Sequence, residues 1–199
     1  MISVCFNTSL LKYGGDLAVG AMTIITSVMQ FALLPLQGLG QGAQPIVSFN
    51  YGAKNVPRVK AAFRLLLKIS LLYSALLWLC IMLFPNIFAS IFTTNQELIT
   101  FTKTALRIYM AGIGVFGIQM ACQLTFNSLG NAKASILVAV MRKFVLLIPL
   151  IYLMPHLFPK LLPMSVYMAE PVADIIAVSF TSVLFAFQFK KSLLQISEL

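Results

Sequence analysis

Long apolar stretches of this chain carry polar side chains in line down one side, and that pattern sets the first expectations. Uncharged windows long enough to cross a bilayer core of about 30 Å recur along the sequence. They predict five nearly complete spans, Leu17–Ser48, Ile69–Phe92, Ile108–Asn127, Ala134–Pro155 and Met164–Phe189. The expected fold class is an all-α, polytopic transmembrane helix bundle with a further partial helix at the N-terminus. Met1–Lys12 is apolar, yet as a helix it covers only about 18 Å, too short to span. Gly14, Gly15 and Asp16 predict a turn, with Asp16 placed to cap the next helix. The segment reads as the tail of a span whose first half is missing, a short interfacial start being the alternative.

On a helix, Thr23, Ser27, Gln30, Gln37, Gln41, Gln44 and Ser48 are separated by steps of three, four or seven and share one face. Unsatisfied polar groups in hydrocarbon cost several kcal/mol each, so this stripe must meet water, a ligand or another helix. The third span repeats the pattern with Gly112, Phe116, Gln119, Gln123 and Asn127. Two aligned stripes predict a shared aqueous cavity; interhelical hydrogen bonds that only hold the bundle together are the alternative. Pro35 and Pro45 tend to kink the first span, and Gly38 and Gly42 form a GxxxG pair suited to close packing. With Gly112 they are the expected hinge and packing positions.

Composition narrows the class. Sixty per cent of residues are apolar, ten per cent are charged, and mean hydropathy is +0.94, far from a soluble domain. The net charge of +9 would suggest nucleic acid in a soluble protein. Here the cations sit between spans, so topology explains them and no nucleic-acid partner is expected. Lys54, Arg58, Lys60, Arg64, Lys68, Lys133, Lys190 and Lys191 fall on one side, against Lys12, Lys103, Arg107 and Lys160 on the other. That bias predicts a cytoplasmic C-terminus. Cys5, Cys80 and Cys122 have no paired spacing, so neither a disulfide nor a metal site is expected, and His156 reads as a loop residue.

Acidic residues are few. Glu170 and Asp174 lie one turn apart at the start of the last span, as ion or proton sites or as structural carboxylates favouring the helix dipole. Arg142 and Lys143 lie deep in the fourth span, either snorkelling or paired with a partner that the sequence does not identify. Thr93/Thr94–Glu97 predicts a helix start, and the prolines of Pro155–Pro163 predict a non-helical loop. The chain has no P-loop, HExxH, GxSxG or paired catalytic acids, and no enzyme, catalytic residue or cofactor is expected.

The run Gln41-Gly42-Ala43-Gln44-Pro45-Ile46-Val47-Ser48-Phe49-Asn50-Tyr51-Gly52-Ala53 resembles the eighth-helix signature of the multidrug and toxic compound extrusion (MATE) transporters. Tyr13–Val19 resembles their helix seven–eight turn, and Phe126–Ala134 the turn from helix ten to eleven. Met141-Arg142-Lys143 with Pro149 is similar to helix eleven, and Glu170-Pro171-Val172-Ala173-Asp174 to the start of helix twelve. The likeness is nearest the MepA/DinF-like bacterial branch. It implies an antiporter of two six-helix lobes in the bacterial plasma membrane, exporting drugs and other organic cations against inward Na+ or H+. Residues 1–199 would be its C-terminal lobe, from the end of helix seven to helix twelve, partnered by an N-terminal lobe or a second chain. Gln37, Gln41, Gln44, Phe116, Gln119, Gln123 and Asn127 are then the expected cavity lining. The alternatives are a lipid-linked oligosaccharide flippase of the same superfamily, or a non-transporting scaffold or half-protein.

Overall fold

The computed structural model describes residues 2–197, with side chains through residue 195. Met1, Glu198 and Leu199, the ends of the predicted 1–199 lobe, lie outside the described residues. The described chain is helical throughout, with five stretches long and apolar enough to cross a membrane. They are Ile2–Gly52, Val56–Leu83, Gln96–Ser128, Ala132–Leu157 and Met164–Gln195.

The first helix, α1 (Ile2–Gly52), is broken at Gly15, whose φ of 64° and ψ of −161° lie outside the helical region. Only glycine adopts that geometry readily, so the glycine pair sets the bend. The short arm before it does not lie loose. Phe6 and Leu10 are buried, and the Phe6 ring lies 5.9 Å from that of Tyr109. Just past the bend, the Ala18 carbonyl accepts the Tyr167 hydroxyl at 2.7 Å.

After a turn through Lys54 (φ 58°), α2 (Val56–Leu83) begins with Asn55 as its cap and Pro57 in its first turn. It ends at Leu83 rather than Phe92, because Pro85 starts a separate short helix, α3 (Pro85–Ser90). The next helix, α4 (Gln96–Tyr109), is capped by Asn95, whose Oδ1 accepts from the amides of Glu97 and Leu98. The expected Thr93/Thr94 start is corrected: Asn95 sits one residue nearer the helix and supplies the cap, and Thr93 Oγ1 accepts the Asn95 amide instead.

A 3₁₀ turn at Met110–Gly112 leads into α5 (Ile113–Ser128). Gly130 (φ 72°) then turns the chain into α6 (Ala132–Val140). A wider π-helical stretch, Met141–Leu147, joins α6 to α7 (Ile148–Leu157), just ahead of Pro149, which has no amide hydrogen to donate. Pro155 lies inside α7 rather than in a loop, two residues before its end, and beyond it Phe158 N still bonds Met154 O at 2.9 Å. The single turn α8 (Met164–Tyr167) precedes the last helix, α9 (Ala169–Ser197).

The α4–α5 span is the most enclosed of the five, with α1, α2 and α9 packed around it. In lipid, helix association rests on close packing and hydrogen bonds rather than on expelling water. The contacts fit that account. A side chain on Gly117 would collide with the Ser70 carbonyl of α2, and one on Gly40 with Leu124 of α5. Ser74 Oγ donates to Gly114 O at 2.9 Å, and Tyr73 Oη to Ala32 O at 2.8 Å. Gly38 and Gly42 have nothing within 4 Å of a would-be side chain. The expected GxxxG packing is therefore not made within the described residues, where Gly40 occupies the buried side of α1.

Candidate substrate-facing surface

The buried side of α1 is built from Ala18, Ala21, Ile25, Val28, Ala32, Leu36, Gly40 and Val47, at steps of three and four with one of seven. About a third of a turn round the helix, Gln30, Gln37 and Gln41 are exposed and Gln44 is half-buried. Ser48, at the end of the same stripe, donates to Ser128 O at 2.9 Å. That bond and the Gly40–Leu124 approach fix where α1 meets α5. On α5, Gln123 is half-buried and Asn127 exposed, flanking those two contacts. Gln37, Gln41, Gln44, Gln123 and Asn127 therefore border one seam, with Gln37, Gln41 and Asn127 open.

Phe116 and Gln119 go elsewhere, which corrects their expected place in the lining. Gln119 is 1% exposed, and its Oε1 accepts the Thr181 hydroxyl of α9 at 2.8 Å. Seven residues earlier, Gly112 lets α9 approach: an added Cβ would lie 3.0 Å from Asp174 Cβ and 3.1 Å from Pro171 Cα. Asp174 and Thr181 are also seven apart, so the polar stripe of α5 docks in register on that of α9. Gln119 and Thr181 satisfy each other inside the bundle, while Gln123 and Asn127 further along α5 stay at the seam, a division the sequence could not show.

The third constellation is the partner that Arg142 lacked in the sequence. Arg142 Nη2 meets Glu170 Oε1 at 2.7 Å, and its Nε meets Asp174 Oδ1 at 2.6 Å. The guanidinium carbon stands 4.7 Å from the centre of the Phe116 ring. All three charged residues are buried, as charges in hydrocarbon must be when paired. Their i, i+4 spacing puts both carboxylates on one face of α9, and Arg142 reaches them from the π-helical stretch. Glu170 Oε2 is buried without a hydrogen-bond partner. Lys143 is exposed. Among the described residues no group of three metal-ligating side chains comes together.

Pro35, Gly38, Gly42 and Ile46 line an apolar groove of about 560 Å³ against Leu65 and Ile69 of α2, on a side of α1 separate from the glutamines. Pro45 is exposed, and α1 runs on through both prolines. The three cysteines are free, and His156 is exposed with its ring nitrogen 2.7 Å from Tyr152 O.

Residues 1–153 match the MatE family profile. A FAD transporter of Shewanella oneidensis is 26% identical over 133 residues, covering 67% of this chain and 29% of the relative. The multidrug export protein MepA of Staphylococcus aureus is 22% identical over 149 residues, 74% of this chain and 32% of MepA. The probable multidrug resistance protein YoeA of Bacillus subtilis is 22% identical over 183 residues, 92% and 39% of the respective lengths. The chain thus spans about a third of the length of these curated relatives. Among solved structures, an inward-facing multidrug resistance MATE family transporter superposes with a TM-score of 0.86 at 18% identity, over 94% of this chain and 43% of its own. A MATE in complex with MaL6 gives 0.88 at 17% identity, over 100% and 44%. At such identities the likeness is one of fold. With the profile covering more than half of the sequence and the five spans in place, the chain belongs to the MatE family of membrane transporters.

Proposed function

We propose that this chain is the C-terminal lobe of a two-lobe secondary transporter in the bacterial plasma membrane that exports drugs and other small organic cations. The observation that carries this is the open glutamine face of α1, with Gln30, Gln37 and Gln41 exposed on a helix long and apolar enough to span. Such a face is costly against lipid and favourable against water, a polar ligand or a facing lobe. Substrate would lie between the lobes, oriented by Gln37, Gln41, Gln44, Gln123 and Asn127, and rocking of the lobes would expose it to each side in turn. The names of the relatives agree with an organic solute.

Coupling to inward H+ or Na+ is part of the same proposal. Among the described residues the acids are Asp16, Glu97, Glu170 and Asp174. Asp16 is exposed and continues the glutamine face of α1 at seven-residue steps through Thr23 and Gln30, and the last two acids are tied to Arg142. Carboxylates that drive export would therefore be Asp16 or come from the facing lobe or partner chain. In this lobe Glu170 and Asp174 serve as structural partners of Arg142. The cation bias supports a C-terminus on the cytoplasmic side. A flippase would need cationic side chains in the cavity, and Arg142 is instead sealed in the bundle.

The test is Gln41→Leu with Gln44→Leu in the transporter that contains this chain, read as dye efflux beside the amount of folded protein in the membrane. The expected result is unchanged folding and at least a tenfold loss of export, a change of about 1.4 kcal/mol in transport free energy. Unchanged export would sink the cavity assignment, and loss of folded protein would favour the scaffold alternative.

A further inference from the structure

We propose that the cleft between the start of α2 and the end of α9 is a binding site for one anionic phospholipid. The cleft measures about 550 Å³ and is lined by Lys60, Arg64 and Lys190, with Phe63, Phe189 and Leu193 among its apolar walls. Its floor is a set of packed rings. Phe63 lies 4.5 Å from Phe185 and 5.1 Å from Phe189, and Phe185 lies 4.8 Å from Phe189, centre to centre.

Charge selects the occupant. Among the described residues no acid stands at this end of the lobe. Asp16 and Glu97 sit at the starts of the opposite ends of their spans, and Glu170 and Asp174 are bound to Arg142. Glu198 lies outside the described residues. Three cations that converge on one cleft repel one another and any cationic drug, and they attract a phosphate. The end is tied together by the packed residues Val47, Val59, Leu129 and Leu193 from α1, α2, the α5 terminus and α9. The cleft therefore sits where the spans leave the membrane, at the depth of lipid headgroups. Toward the middle of the same two spans the exposed residues are apolar: Leu65 and Leu72 on α2, Val183 and Phe187 on α9. A ligand with an anionic head and acyl chains matches both parts, whereas free phosphate or a soluble anion matches only the first. Basic pockets between helices of the cytoplasmic side are the general form of such sites. Snorkelling cations would instead splay outward around their helices.

The experiment is native mass spectrometry of the transporter that contains this chain, extracted with its own membrane, followed by delipidation and titration with phosphatidylglycerol, cardiolipin or phosphatidylcholine. One anionic lipid retained per chain, with little phosphatidylcholine, is expected. The variant Lys60→Gln/Arg64→Gln/Lys190→Gln should weaken retention by about a hundredfold. A charge-matched variant at the opposite end, Lys12→Gln/Lys103→Gln/Lys160→Gln, should retain it. Equal binding of phosphatidylcholine by the wild type would overturn the proposal, and needs no variant to fold. So would equal losses in both triple variants, which would reduce the effect to overall charge. Displacement of the lipid by millimolar inorganic phosphate would likewise overturn it, by showing a simple anion site.

Discussion

Arg142 holds two carboxylates and an aromatic face at once, and each contact has a separate consequence. Removing the guanidinium would leave two negative groups in a dry interior. Arg142→Met is therefore expected to cost about 3–5 kcal/mol of lobe stability, seen as a lower unfolding midpoint in detergent. Adding Glu170→Gln and Asp174→Asn to it should recover most of that loss, because no charge then remains unpaired. A triple variant as unstable as the single one would mean that packing, not charge pairing, is what Arg142 supplies. Gln119 behaves differently from the glutamines of α1. Its bond to Thr181 is internal, so Gln119→Leu should cost about 0.6 kcal/mol, at most ~1.7, and leave export unchanged. A transport defect with intact folding would put Gln119 back in the cavity.

At the scale of helices, the sides of α1 and α5 have distinct duties. The buried side of α1 needs a glycine at 40, while positions 38 and 42 border an open groove. The same contrast exists on α5, where Gly117 meets the α2 backbone. Gly117→Leu should disrupt the α2–α5 crossing by at least about 1–3 kcal/mol, whereas Gly38→Leu should be nearly neutral for lobe folding. Thermal unfolding of the two variants separates them, and equal destabilisation would contradict the groove. A loss of transport in Gly38→Leu without loss of folding would show that the groove is used in motion. The helices themselves were legible in the sequence because span length and apolarity are local properties. Their ends were less so. Charges bounded the apolar windows, yet Lys and Arg continue a helix well, so α2 starts at Val56, ahead of its apolar stretch, and Pro155 is absorbed into the last turn of α7.

For the whole molecule, the open face of α1 is the feature that calls for a counterpart. Single cysteines at Gln37, Gln41 and Gln119, with Cys5, Cys80 and Cys122 replaced, should sort by reactivity in the assembled transporter. A charged, membrane-impermeant thiol reagent is expected to modify the first two in one orientation of the transport cycle and to leave position 119 untouched. Bound substrate should protect positions 37 and 41. Modification of position 119 at a similar rate would mean that the α5–α9 seam opens to water.

The sequence by itself determined that the chain is a helical membrane protein, where its spans run, and that polar side chains line up on two of them. Those are consequences of composition and periodicity along one chain. Tertiary structure alone decided which part of each stripe is open and which is closed, because that depends on what stands opposite. The first half of the α5 stripe meets α9, Gly112 at Asp174 and Gln119 at Thr181, and is closed there, while Gln123 and Asn127 stay at the seam. Gln30, Gln37 and Gln41 of α1 stay exposed, and Gln44 is half-buried. Arg142 and its two carboxylates are 28 and 32 residues apart in sequence, and only folding brings them within 3 Å, so no local pattern announces the pair.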